Sequence, residues 1–269
     1  MDYQEQYNRL KQNSISKLDI EIINSRNRNA WEYFKKIVNI NNLERNILKP
    51  TNIYISSVKE IHNSSMVCWP FLDKTEIFID EQVWKNYKDL SLIQIQHEIL
   101  HGLSAHYKNG EKFKFGHSTK DKKYIGLDEA TTQMFTENIL GISLTKEQDY
   151  LYYIKNIMRI LDVVFGSSLI ADQYLNGNNV FEDKFNEFTN NKFEDFAVYI
   201  NNIYLLDKKE FYNSITVEGK NKQEQLKKQV SLFISSIVNR INNPDIINNL
   251  KKQVDDEVLN SILNIQKVR

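Results

Sequence analysis

The chain has 269 residues, 41% of them hydrophobic, with 35 basic and 35 acidic side chains that cancel to a formal net charge of +0. That length holds one large domain or two modest ones around a real core, and the balanced charge gives no overall attraction to nucleic acid or an anionic membrane surface. The single cysteine, Cys68, excludes an intrachain disulfide, and the polar start Met1-Asp2-Tyr3-Gln4-Glu5-Gln6, with no apolar run behind it, predicts neither a signal peptide nor a membrane span.

Residues 1–49 read as helical in pieces. Ala30-Trp31-Glu32-Tyr33-Phe34-Lys35-Lys36-Ile37-Val38 places apolar side chains three and four apart, the spacing of an amphipathic helix, and Lys49-Pro50 breaks it. Short strands are expected at Asn52–Ser56, Ser65–Trp69 and Thr75–Asp80, where β-branched and aromatic residues alternate with others. From Asp89 to Tyr107 the spacing is helical again. Polar, glycine-containing residues 108–126 read as a loop or hairpin. Leu127–Leu140 is the next helix, with Gly141 suited to its C-terminal cap.

Beyond Thr145 nearly everything reads as helix: Glu147–Phe165, Ser168–Leu175, Phe181–Phe188, Phe193–Leu206, Lys209–Ile215, Lys222–Asn242 and Asp245–Lys267. The expected fold class is α+β, a small mixed sheet packed on helices and followed by a largely helical C-terminal part. The expected boundary lies near residue 144, with 1–144 as the core and 145–269 as a helical subdomain packed on it.

One stretch carries chemistry: His97-Glu98-Ile99-Leu100-His101. On a helix, residues i and i+4 lie on one face a turn apart, so His97 and His101 project side by side. Both imidazoles can then reach one zinc ion at about 2.0–2.1 Å. A catalytic zinc holds three protein ligands and a water whose pKa it lowers to about 7. Glu98 leaves the helix in a neighbouring direction, placed to take a proton from that water and pass it to a leaving amine. An accidental or decayed match is the rival reading.

A third ligand is needed. A histidine six residues past the motif, with glycine three past, would be one solution, but those positions are Tyr107 and Ser104. His106 falls about 140° around the helix from His101. His117 lies in the loop and reads as a solvated histidine. Glu129, 28 residues after His101 in Gly126-Leu127-Asp128-Glu129-Ala130-Thr131-Thr132-Gln133, is the better candidate, with Asp128 as its rival. Either acid could instead be a helix-start residue favoured by the dipole.

On His97, Glu98, His101 and Glu129 the chain resembles the gluzincin metallopeptidases, the thermolysin-like superfamily, over roughly residues 50–145. The resemblance implies a zincin-like core, one zinc per chain held by His97, His101 and Glu129, and peptide-bond hydrolysis with Glu98 as general base. It implies a peptide or protein substrate, and with no aminopeptidase-type glutamate motif upstream of the helix the sequence favours an endopeptidase, or a peptidase of narrow specificity, over an exopeptidase. Gln133 stands where many gluzincins place an acid. Tyr124, five residues before Glu129, resembles the oxyanion-stabilising tyrosine of some small gluzincins and lethal-factor-like toxins; His117, Tyr150 and Tyr153 are further candidates. Thr75–Asp80 takes the place of the strand whose edge receives the substrate, with Trp69, Phe71 and Trp84 as cleft or core aromatics. A non-enzymatic binding module on a peptidase-like scaffold and a zinc amidohydrolase acting on a non-peptide amide are the alternatives. The cytoplasm is the default compartment, although the mature form of a secreted enzyme would read the same.

Overall fold

The computed structural model describes residues 3–38, 49–57, 66–108, 111–119, 123–241 and 243–263. Parts of five expected stretches lie outside them: residues 1–2 and 39–48 of the helical N-terminal stretch, Ser65, residues 109–110 and 120–122 of the loop or hairpin, Asn242, and residues 264–267. The protein is α+β with a small mixed sheet and mostly helical content. It forms two compact units, Met1–Gly116 and His117–Arg269.

The first unit runs α1 (Tyr3–Gln12), β1 (Ser14–Lys17), α2 (Ile20–Phe34), β2 (Thr51–Ser56), β3 (Met66–Pro70), β4 (Thr75–Asp80), α3 (Glu81–Asn86), α4 (Lys88–Leu103), β5 (Ala105–Lys108) and β6 (Glu111–Phe115). The sheet order is β1-β2-β4-β3. The β2 and β4 strands are parallel, with Ile53 beside Ile77 and Ile55 beside Ile79. The outer strands β1 and β3 run antiparallel to their neighbours. The expectation that β4 offers its edge to a substrate is therefore corrected: β4 is an interior strand with both sides paired. Its continuous run of buried residues, Thr75 to Ile79, is the pattern of a strand covered on both faces.

Alternation along β4 sends its side chains to two faces. Thr75 meets Gly102 of α4, where an added Cβ would stand 2.9 Å from Thr75 Cγ2. The lack of a side chain at Gly102 thus lets the helix approach the strand. On the other face Phe78 forms a core cluster with Leu10 and Trp69, joined by Tyr7, Tyr54, Val67 and Phe71. Beside it the buried Glu76 carboxylate accepts hydrogen bonds from Tyr7 Oη at 2.8 Å, Lys11 Nζ at 3.0 Å and Lys74 Nζ at 3.1 Å. Burial pushes this carboxyl upward, but the three donors outweigh it and hold it below its ordinary value. Glu76 thereby ties α1 to the sheet. The helix expected to run to Tyr107 ends at Leu103, and Ala105–Tyr107 instead belong to β5, which pairs antiparallel with β6 in the stretch where a loop or hairpin was expected.

The second unit contains the short strand β7 (Ser118–Thr119) and helices α5 (Ile125–Leu140), α6 (Tyr152–Phe165), α7 (Ser167–Asn176), α8 (Val180–Thr189), α9 (Phe193–Phe211), α10 (Val217–Ile241), α11 (Pro244–Gln253) and α12 (Asp256–Leu263). The α5 helix packs on α6 and α9, and α9 packs on α10. Phe181, Phe185, Phe193 and Phe196 form a buried aromatic core, with rings 4.8 to 6.2 Å apart. The helix expected at Lys209–Ile215 is absent: α9 absorbs its first turn and the chain breaks at Tyr212. The helix expected at Asp245–Lys267 is two, because Asp255 turns its carboxylate onto the Glu257 N–H at 2.9 Å and starts α12.

Asp162 on α6 is buried at 8% exposure and accepts one hydrogen bond, at 2.9 Å, from Ser167 Oγ. Burial raises its carboxyl to about 6, with the Ser167 bond and the Arg159 charge offsetting only part of the rise. A carboxyl raised in the folded state binds its proton more tightly than in the unfolded chain. Its contribution is full below the unfolded pKa, about 3.9, and is lost as pH rises toward 6. Asp162→Asn is therefore expected to stabilise the protein at neutral pH by up to about 3 kcal/mol. Urea unfolding at several pH values checks it; a variant with the wild-type pH slope between roughly pH 4 and 7 would refute the burial argument.

Candidate metal centre

The α4 helix carries His97 in its second half and His101 in its last turn, both at 8% exposure, with Glu98 half-buried next to His97. Their Nε2 atoms stand 3.1 Å apart, with ring centroids at 4.8 Å. Two nitrogens bound tetrahedrally to one metal at about 2.05 Å would stand roughly 3.3 Å apart. The side chains thus converge as i, i+4 ligands require. The helix end is fixed by Ser104, whose N–H donates to Leu100 O at 2.9 Å.

Glu129 opens the second turn of α5, directly after Asp128 in the first. This helix begins at Tyr124, whose backbone is left-handed with φ of 64°. It ends at Gly141, also left-handed, whose N–H donates to Glu137 O. Its start is seated on α9: Asn201 Oδ1 accepts the Gly126 N–H at 3.2 Å, and a Cβ on Gly126 would come within 2.8 Å of Tyr204 Cβ and 2.9 Å of Asn201 Cα. Only glycine permits that approach.

One donor atom from each of His97, His101 and Glu129 lies within 4.8 Å of the others, so the three can hold a metal ion. Asp128 is outside that group. It is buried, and its carboxylate accepts the His117 backbone N–H at 3.1 Å. Compared with protein-family models, curated proteins and solved structures, the chain matches none. The site's own geometry therefore carries the functional reading.

The tyrosine candidates separate. Tyr124 packs its ring on Phe193, with centroids 5.9 Å apart. Burial, then the charges of Glu194 and Glu182, raise its phenol. Tyr153 is engaged with α10, donating to Lys227 O at 3.0 Å beside Ser231 Oγ. Tyr150 lies in the field of Glu129: burial first, then that carboxylate, pushes its phenol well up. His117, expected as a solvated loop residue, is buried at 2% exposure, with Nδ1 3.2 Å from Gln173 Nε2 and its ring against Tyr174 and Phe181. Trp69 and Phe71 belong to the core cluster under α1.

Sequence reasoning missed the ion cluster two turns along α5. Glu137, fully buried, accepts Lys155 Nζ at 2.6 Å, Arg159 Nη2 at 2.6 Å, the Leu144 N–H at 3.2 Å and Gln133 Nε2 at 3.3 Å. Lys155 also reaches Asp149 Oδ2 at 3.0 Å and Leu144 O at 3.2 Å. Glu129, Gln133 and Glu137 are spaced i, i+4, i+8, one stripe of α5. The only signal in the sequence is a lysine set among the apolar residues Leu151, Ile154, Ile157 and Met158.

Proposed function

We propose that this protein is a zinc metallopeptidase of the gluzincin type, with His97, His101 and Glu129 as ligands and Glu98 as general base. The convergence of those three donor atoms within 4.8 Å carries the reading. Two imidazoles and one carboxylate are a known donor set for catalytic zinc, leaving a coordination position open. When bound, zinc supplies Lewis acidity that makes water acidic and polarises a carbonyl. Glu98, next to His97 on the same helix, accepts the proton of the attacking water. It then delivers the proton to the amine of the broken peptide bond. Tyr124 and Tyr150 are the phenols available to donate to the developing oxyanion, and Tyr150 lies in the field of Glu129. Among the described residues no helix is long and apolar enough to cross a membrane.

Metal analysis tests the reading. The purified protein is expected to hold about one zinc per chain and to hydrolyse peptides in a chelator-sensitive way. His101→Ala and Glu129→Ala should each lose the metal. Retention of zinc by Glu129→Ala would move the third ligand elsewhere, and a wild-type protein that takes up no metal would end the proposal.

A further inference from the structure

The α9 helix brings a lysine to the aromatic wall beside Glu129. Lys208 Nζ lies 5.7 Å from the ring centroid of Tyr150 and 5.9 Å from that of Tyr204. The two rings are 6.0 Å apart, and Phe211 packs on Tyr150 at 5.9 Å. Tyr204 abuts Gly126, three residues before Glu129 and on the same side of α5. Lys208 is half-buried, and the acids flanking it on α9 are taken by others. Asp207 binds Lys227 at 2.9 Å and Gln223 at 2.6 Å; Glu210 binds Gln223 at 2.9 Å and faces Lys220. Among the described residues no carboxylate pairs with Lys208.

An ammonium group over two ring faces is held by their quadrupoles, which accounts for its position but leaves its donors unused. Once Glu129 shares its charge with a bound cation, the surroundings become more positive, and an anion is the ligand that this lysine favours. We propose that Lys208, seated over Tyr150 and Tyr204 beside Glu129, anchors a carboxylate of the peptide substrate. That carboxylate is an Asp or Glu side chain, or the free C-terminus. The inference rests on the peptidase reading and adds the substrate class to it.

The test uses the zinc-loaded full chain and a mixed peptide library, one half with free and one half with amidated C-termini. Wild type is expected to cut with Asp or Glu at a fixed distance from the scissile bond, or to cut only the free-terminus half; these outcomes separate the two sources. Lys208→Gln should lose roughly tenfold in kcat/KM on the favoured peptide, mostly through KM, as for a lost hydrogen bond to a charged group. Lys208→Arg should retain the preference, and zinc content should be equal in all three proteins. Cleavage without any carboxylate preference, or a preference that survives Lys208→Gln, overturns the inference and leaves the peptidase reading standing. A zinc-loaded wild type that cuts nothing in the library ends both.

Discussion

Glu98→Gln is expected to keep its zinc and lose roughly a hundred- to ten-thousandfold in kcat, the range for removal of a positioned general base. Glutamine keeps the length and shape of the side chain, so α4 and the neighbouring imidazoles need not move. What disappears is the oxygen basic enough to accept a proton. Because Glu98 lies about 100° around the helix from His97, it is not placed to ligate with the two histidines, and metal content should stay at the wild-type level. Zinc analysis and peptide cleavage, measured on the same preparation, check both halves. Full activity in Glu98→Gln on a peptide that wild type cleaves would remove Glu98 from the mechanism. Joint loss of zinc and activity would instead make it a residue that supports the metal.

The contrast between what sequence showed and what it hid follows the range of the interactions. His97, Glu98 and His101 were legible because helix geometry alone fixes their relation. Glu129 was legible as a helix-start acid, although only the folded chain distinguishes it from Asp128, whose carboxylate is spent on the His117 N–H. The position of β4 was not legible. Its alternation fits an edge or an interior strand equally, and its place between β2 and β3, paired to both, is a property of the sheet. Local pattern also cannot show where a helix ends when the breaking residue is an ordinary one. Lys209–Ile215 has helical spacing, yet α9 stops at Phe211 and Asn213 turns left-handed with φ of 53°. His117 was misjudged for the same reason. Its loop composition suggested solvent, while Gln173, Tyr174 and Phe181, more than 50 residues onward, enclose it.

The least legible feature carries the largest stability prediction. Lys155 is 1% exposed and lies between Glu137 and Asp149, themselves 0% and 6% exposed. Buried ion pairs seldom stabilise a protein relative to apolar packing, but removal of one partner leaves an uncompensated charge in low dielectric. Lys155→Met fills the volume and leaves Asp149 with the Leu151 N–H at 2.8 Å and Glu137 leaning on Arg159. The expected loss is about 3–5 kcal/mol, large against the usual total for a domain. Urea or thermal unfolding measures it. A double variant, Lys155→Met with Asp149→Asn, removes the stranded charge, leaves Glu137 paired with Arg159 at 2.6 Å, and should recover much of the loss. If Lys155→Met alone unfolds like wild type, the cluster is not what holds α5 against α6. If it is strongly destabilised and the double variant recovers, the cost is electrostatic. The helix that carries Glu129 would then be held two turns away by a charge-balanced cluster of two acids and two bases.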